Sequence, residues 1–136
     1  MPYAIKETSS PLKIEERECA SGPKIKFTTF TSCIGVIAKK GEKLTAVHLS
    51  IYAEDGSIFE ANDVPKVIDC LPDRPDTITL FGCLNVWQNP ANGMVQAAFE
   101  KLASQLMPLA KYQQYPREDG TYGAEIDDAG EIEITF

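Results

Sequence analysis

The stretch Thr31-Ser32-Cys33-Ile34-Gly35-Val36-Ile37-Ala38, followed by Lys39-Lys40-Gly41-Glu42-Lys43 and then Leu44-Thr45-Ala46-Val47-His48-Leu49-Ser50-Ile51, decides how the chain is read. Two short apolar segments flank a charged turn that contains a glycine, which predicts a β-hairpin. The hairpin carries the only histidine of the chain and one of its four cysteines. With the turn centred between Lys40 and Gly41, Cys33 stands opposite His48 and Gly35 opposite Ala46. Directly opposed residues of an antiparallel pair have Cβ atoms roughly 4.5–5.5 Å apart, within reach of a thiol–imidazole contact. The small Gly35 and Ala46 then leave room above the pair. The other face carries Ile34, Val36, Val47, Leu49 and Ile51, alternating as a core face does. A loop centred on Gly41 alone slips the pairing by one residue and sends His48 to that other face.

On the N-terminal side, residues 3–7 and 12–17 read as strands around a Thr8-Ser9-Ser10-Pro11 turn. Ser21-Gly22-Pro23 is a break, and residues 24–30 alternate as a further strand. Cys33 thus begins a strand just after a polar bend at Thr31-Ser32. On the C-terminal side, Glu54-Asp55-Gly56-Ser57 is a turn and residues 57–60 are a short returning strand. Asn62-Asp63 cap a helix whose apolar face is Val64, Val67, Ile68 and Leu71. Residues 77–86 are apolar enough for a buried strand. Residues 94–107 form the strongest helix, with Val95, Phe99, Leu102 and Leu106 as its stripe and Pro108 as its stop. Residues 111–115 read as a strand, and 122–127 with 131–136 as a terminal hairpin. Many strands with two separated helices predict one α+β domain over residues 1–136.

Composition narrows the function classes. A chain of 136 residues can bury a real core. A net charge of −7 argues against a nucleic-acid partner, which wants a basic face, and suits contact with a basic protein surface. No apolar run approaches the roughly 20 residues of a membrane span. Residues 1–7 lack the apolar core of a signal peptide, so the expected location is the cytoplasm, or a host cell reached without a cleaved signal. Cys19, Cys33, Cys70 and Cys83 include no C-x-x-C pair. Free thiols are expected, and no metal-ligand spacing supports a zinc site.

A thiol beside an imidazole is a nucleophile with its own base. The imidazole takes the proton, and the thiolate attacks amide or ester carbonyls to give a thioester. The oxyanion formed on the way needs donors, for which the backbone at Cys33, Ser32 and Thr31 is available. Thr28 or Thr29, five and four residues earlier, can reach the same site from a strand. The plain alternative is a buried cysteine beside a satisfied histidine. Cys83 and Cys70 read as core packing, and Cys19 as an exposed bystander among Glu16, Arg17 and Glu18. Trp87, Gln88, Asn89 and Asn92 either border a cleft or serve as caps. The acidic run Glu125, Asp127, Asp128, Glu131 and Glu133 reads as a solvated hairpin face.

Ser32-Cys33-Ile34-Gly35-Val36 followed by Ala46-Val47-His48-Leu49-Ser50-Ile51 resembles the Cys/His core of the chemoreceptor glutamine deamidase CheD. It is also similar to the deamidase domains of the cytotoxic necrotizing factor toxins. The later order of strand, Phe81-Gly82, long helix and terminal hairpin extends the likeness over residues 24–136. The resemblance implies a β-sandwich of mixed sheets flanked by helices. It implies hydrolysis of a protein glutamine side chain to glutamate, with Cys33 as nucleophile, His48 as base and no cofactor. Three positions depart from the pattern. Thr31 replaces the glycine before Ser-Cys, Phe27 falls where the family has a threonine, and Cys83 stands where a small glycine is usual.

The expected function is therefore a cysteine-dependent deamidation of a partner protein, as in a bacterial effector or toxin or a housekeeping modifier. Transglutamination follows if an amine intercepts the thioester. The rival is a non-enzymatic adaptor or immunity-type binding module on the same fold. A third reading is a thiol redox protein using Cys33 and Cys83.

Overall fold

A computed structural model describes residues 3–136. Its strands are β1 (Lys6–Glu7), β2 (Glu18–Gly22), β3 (Lys24–Lys26), β4 (Ile34–Lys40), β5 (Lys43–Leu49), β6 (Thr77–Gly82), β7 (Lys111–Pro116), β8 (Gly123–Ile126) and β9 (Ile132–Thr135). Its helices are α1 (Val64–Cys70), α2 (Leu84–Trp87) and α3 (Gly93–Leu106). Six strands form a mixed sheet in the order β1-β2-β5-β4-β6-β7, and three form a second sheet in the order β3-β8-β9. This is the expected α+β arrangement of mixed sheets with helices. No helix among the described residues is long and apolar enough to cross a membrane.

The hairpin sits in the middle because both of its faces are apolar. Ile34, Val36, Ala38, Val47 and Leu49 pack under α1 and α3, against Val67, Phe99 and Leu102. Cys33, Ile37, Leu44 and Ala46 pack with Ile25 and Ala124 of the small sheet. The large sheet is therefore covered on both faces, by helices on one and by the small sheet on the other. Period-2 alternation predicts the first of these faces as core; the second, expected to be open, is covered as well.

The hairpin forms with its turn at Gly41-Glu42, one residue later than expected. Lys40 pairs with Lys43, and Gly41 takes a positive φ of 63°, which glycine adopts without strain. The register thereby moves by two residues. Gly35, not Cys33, is opposite His48, and Ile37, not Gly35, is opposite Ala46. A shift of two preserves the face, so Cys33 and His48 remain on one side as diagonal neighbours.

Other boundaries differ for local reasons. Residues 12–17 form no strand beyond a single bridge from Ile14 to Phe27, and pairing begins instead at Glu18. Cys19 consequently lies in β2, buried against the helix layer, not exposed. The Cys70 thiol, packed against the same core, donates to the Lys66 carbonyl at 3.3 Å. The expected strand over residues 24–30 stops at Lys26, and residues 57–60 contribute only the bridge between Tyr52 and Ile58. The expected strand over residues 77–86 stops at Gly82, whose φ of 117° turns the chain into α2. A β-carbon there would lie 2.7 Å from the Cys33 carbonyl oxygen, so only glycine fits. The 3-10 turn Ala61–Asp63 before α1 opens through a reciprocal Glu60–Asp63 capping box, and Asp63, the N-cap of α1, makes no side-chain cap bond of its own. Helix α3, β7 and the β8–β9 hairpin form where they are expected, within one residue at each end.

Candidate active site

His48 is placed by β5, fully buried between the two sheets. Its Nδ1 lies 2.9 Å from the Ile14 carbonyl oxygen. A carbonyl only accepts, so Nδ1 carries the proton and Nε2 presents a lone pair. Nε2 is buried and has no hydrogen-bond partner among the described residues. The Ile14 carbonyl also accepts from the Thr28 amide at 2.9 Å and from Thr28 Oγ1 at 3.3 Å. Thr28 therefore reaches His48 through that carbonyl.

Cys33 precedes β4 and is fully buried. Its Sγ, a ring nitrogen of His48 and a carboxylate oxygen of Glu16 all lie within 4.8 Å of one another. Of the two ring nitrogens only Nε2 keeps a free lone pair, because Nδ1 donates to Ile14. The thiol itself is directed at Glu16 Oε2 (3.6 Å) and the Thr31 carbonyl (3.5 Å), not at the imidazole. Burial, with the charge and hydrogen bond of Glu16, pushes the Cys33 thiol up to about 12. Burial also lowers the His48 pKa below its ordinary value. The resting pair is thus a neutral thiol and a neutral imidazole, held close without a bond between them.

Glu16 is the member that sequence reading did not place at the site. It arrives because β2 pairs with β5, with Glu18 opposite His48 and the Arg17 amide donating to the His48 carbonyl at 2.7 Å. Arg17 holds Glu16 Oε1 at 3.4 Å and donates to Ser50 Oγ and the Tyr52 carbonyl. Glu16 and Arg17 line both a cleft of about 460 Å³, shared with Lys6, Glu18 and Glu54, and one of about 360 Å³, shared with Glu15 and Thr28. The Glu16 side chain is 43% exposed, so it connects the buried thiol to a mainly acidic surface.

The space above Gly35 is filled, contrary to expectation. A β-carbon on Gly35 would lie 2.7 Å from Phe81 Cε1 and 3.1 Å from Phe27 Cζ and Phe30 Cζ. Phe27 and Phe30 pack on the imidazole at centroid separations of 5.5 and 4.8 Å. Gly35 makes room for this aromatic cover and not for a substrate.

The bend before Cys33 is fastened from the C-terminal half of the chain. Ser32 adopts a φ of 59°, its amide donates to Asp119 Oδ1 (2.9 Å), and its carbonyl accepts from Trp87 Nε1 (2.8 Å). The Ser32 amide is therefore not free for an oxyanion. Thr31 enters the site through its carbonyl, which accepts from the thiol. Thr29 bonds Thr121 instead. Cys83 is buried, as a core residue should be, but its thiol donates to Asp119 Oδ1 at 3.2 Å and its amide to the Cys33 carbonyl at 2.9 Å. Burial and Asp119 push the Cys83 thiol up to about 12. Of the polar cluster, Trp87 is buried, Asn89 caps the turn Pro90–Asn92 through the Ala91 amide, and Asn92 bonds the Val86 carbonyl. These are capping roles, not cleft-lining ones. Comparison with protein-family models, with curated proteins and with solved structures finds no match to the chain.

Proposed function

We propose that the protein is a cysteine-dependent amidohydrolase that converts a glutamine side chain of a partner protein to glutamate. The observation that carries this reading is the convergence of Cys33 Sγ and a His48 ring nitrogen within 4.8 Å, with Nε2 bare and its tautomer set by Ile14. Catalytic hydrogen bonds are often long before substrate arrives, so a thiol one rotation away from its base is compatible with the role. Nε2 takes the thiol proton as Sγ adds to the carboxamide carbon. It then gives that proton to the leaving nitrogen, and ammonia departs from the thioester. Water, deprotonated by Nε2, attacks the thioester, and glutamate leaves as the thiol regains its proton. The likeness to the CheD-type core supports the same assignment. The acidic rim of Glu15, Glu16, Glu18 and Glu54 favours a target glutamine set among basic residues.

The test is incubation with a library of basic, glutamine-containing peptides, read as released ammonia and as glutamate by mass spectrometry. Conversion by wild type and none by Cys33→Ser is expected. Conversion that survives Cys33→Ser, or none with any peptide while Cys33 is shown to be accessible, sinks the proposal. A second reading, a non-enzymatic binding module, is favoured by the complete burial of both Cys33 and His48. It predicts that a partner binds Cys33→Ser and wild type equally and leaves with its glutamines intact.

A further inference from the structure

We propose that Glu16, Cys33 and His48 bind a divalent transition-metal ion of the zinc class, through one carboxylate oxygen, the thiolate sulfur and Nε2. Cys33 Sγ, a Glu16 carboxylate oxygen and a His48 ring nitrogen already lie within 4.8 Å of one another. The Cys33 Sγ to Glu16 Oε2 separation of 3.6 Å matches the edge of about 3.5 Å expected between sulfur and oxygen in a tetrahedral zinc site. Nε2 is a buried acceptor with no partner among the described residues, and such an atom calls for an explanation. The Ile14 carbonyl fixes the other ring nitrogen in the way outer groups fix metal-binding histidines. A mixed sulfur, nitrogen and oxygen set selects zinc or cobalt over magnesium or calcium, which want oxygen alone. Thiolate and carboxylate together neutralise the ion. The half-exposed Glu16, between clefts rimmed by Glu15, Glu18 and Glu54, is the route in.

Binding exchanges one bond for another without redox change. The S–H bond of Cys33 breaks, a sulfur–metal bond forms, and the proton passes to solvent. Three protein donors leave a fourth position for water. The claim needs only these donors and does not rest on the amidohydrolase reading. If both hold, the ion occupies nucleophile and base together, and binding and hydrolysis exclude each other.

The experiment is titration of reduced, chelator-treated protein with Co²⁺ and then Zn²⁺, without any peptide. Expected are a saturable thiolate-to-cobalt absorption band at one equivalent, its loss on adding Zn²⁺, and release of one proton per ion by calorimetry in two buffers. Cys33→Ser must abolish the band. Glu16→Gln, at the surface, must weaken binding by at least about tenfold, the low end of what losing even an outer partner costs. The double variant Cys19→Ser/Cys70→Ser must keep the band. X-ray absorption of the cobalt protein, which needs no variant to fold, must show one sulfur neighbour. Two sulfur neighbours, a band that follows Cys19 and Cys70, or no saturable band overturns the proposal. Because no substrate is present, these outcomes are independent of whether the thiol hydrolyses amides.

Discussion

The Nδ1–H of His48 donates to the Ile14 carbonyl at 2.9 Å, and this bond decides which nitrogen of the only histidine is available for chemistry. Ile14 lies on a segment that forms no strand, yet a parallel bridge to Phe27 fixes its carbonyl. The imidazole is thus oriented by backbone rather than by another side chain.

Burial, and after it Glu16, holds the Cys33 thiol in its protonated form. The negative charge of Glu16 and its acceptance of the S–H both favour the neutral thiol, after burial itself. Glu16→Gln should lower the thiol pKa and raise the alkylation rate of Cys33 at neutral pH, because each drop of one in that pKa makes the thiolate about tenfold more abundant. Mass-spectrometric alkylation rates across pH check this. An unchanged Cys33 rate means that burial alone governs the thiol.

Stability should fall on both sides of neutrality for two separate reasons. Burial depresses the His48 pKa below 6.5, so below that pH the unfolded chain binds a proton that the folded chain refuses. Stability is then lost as pH falls, at up to about 1.4 kcal/mol per pH unit within the window. The Cys33 thiol is raised from 9 to about 12, so the unfolded chain loses its proton first and stability is lost as pH rises through that interval. Urea midpoints of wild type and His48→Gln at pH 7.5 and 5 isolate the first effect. Equal losses in the two proteins would contradict it.

Gly35→Ala should destabilise the fold by about 1–3 kcal/mol, the usual cost of overpacking. Its new methyl group meets three phenylalanine rings, with the nearest atom at 2.7 Å. Chemical denaturation measures the loss. Wild-type stability in this variant would show that the aromatic cover gives way easily, which would also ease access to His48.

Much of this is legible in the sequence, and the rest is not, for definable reasons. The hairpin, α3 and the β8–β9 pair are readable because their apolar residues repeat at the period of their own element. Cys33 and His48 fall on one face as expected although the register differs, because a slip of two residues leaves parity intact. Glu16 and Ile14 are not readable. They are brought in by the pairing of β2 with β5, and nothing local in residues 12–17 announces that contact. The aromatic cover over Gly35 is hidden for the same reason, since Phe27, Phe30 and Phe81 come from three separate segments.

Asp119 should control Cys83 without controlling Cys33. Its carboxylate accepts from the Ser32 amide and the Cys83 thiol, which hold it below the usual carboxylate range. Asp119→Asn is expected to speed alkylation of Cys83 more than that of Cys33, read per site by mass spectrometry. The reverse order would mean that the Ser32 bend, once loosened, exposes Cys33 first.

The fastening of the Ser32 bend has a consequence for how the protein is made. Cys33 and His48 leave the ribosome before Trp87 and Asp119, which hold their corner. The Gly120 carbonyl accepts the Phe30 amide, and the Tyr122 carbonyl accepts the Phe27 amide. A nascent chain that has not yet reached these residues carries its thiol and imidazole as ordinary, unorganised side chains. The corner around Ser32 therefore closes only when residues 119–122 return to it.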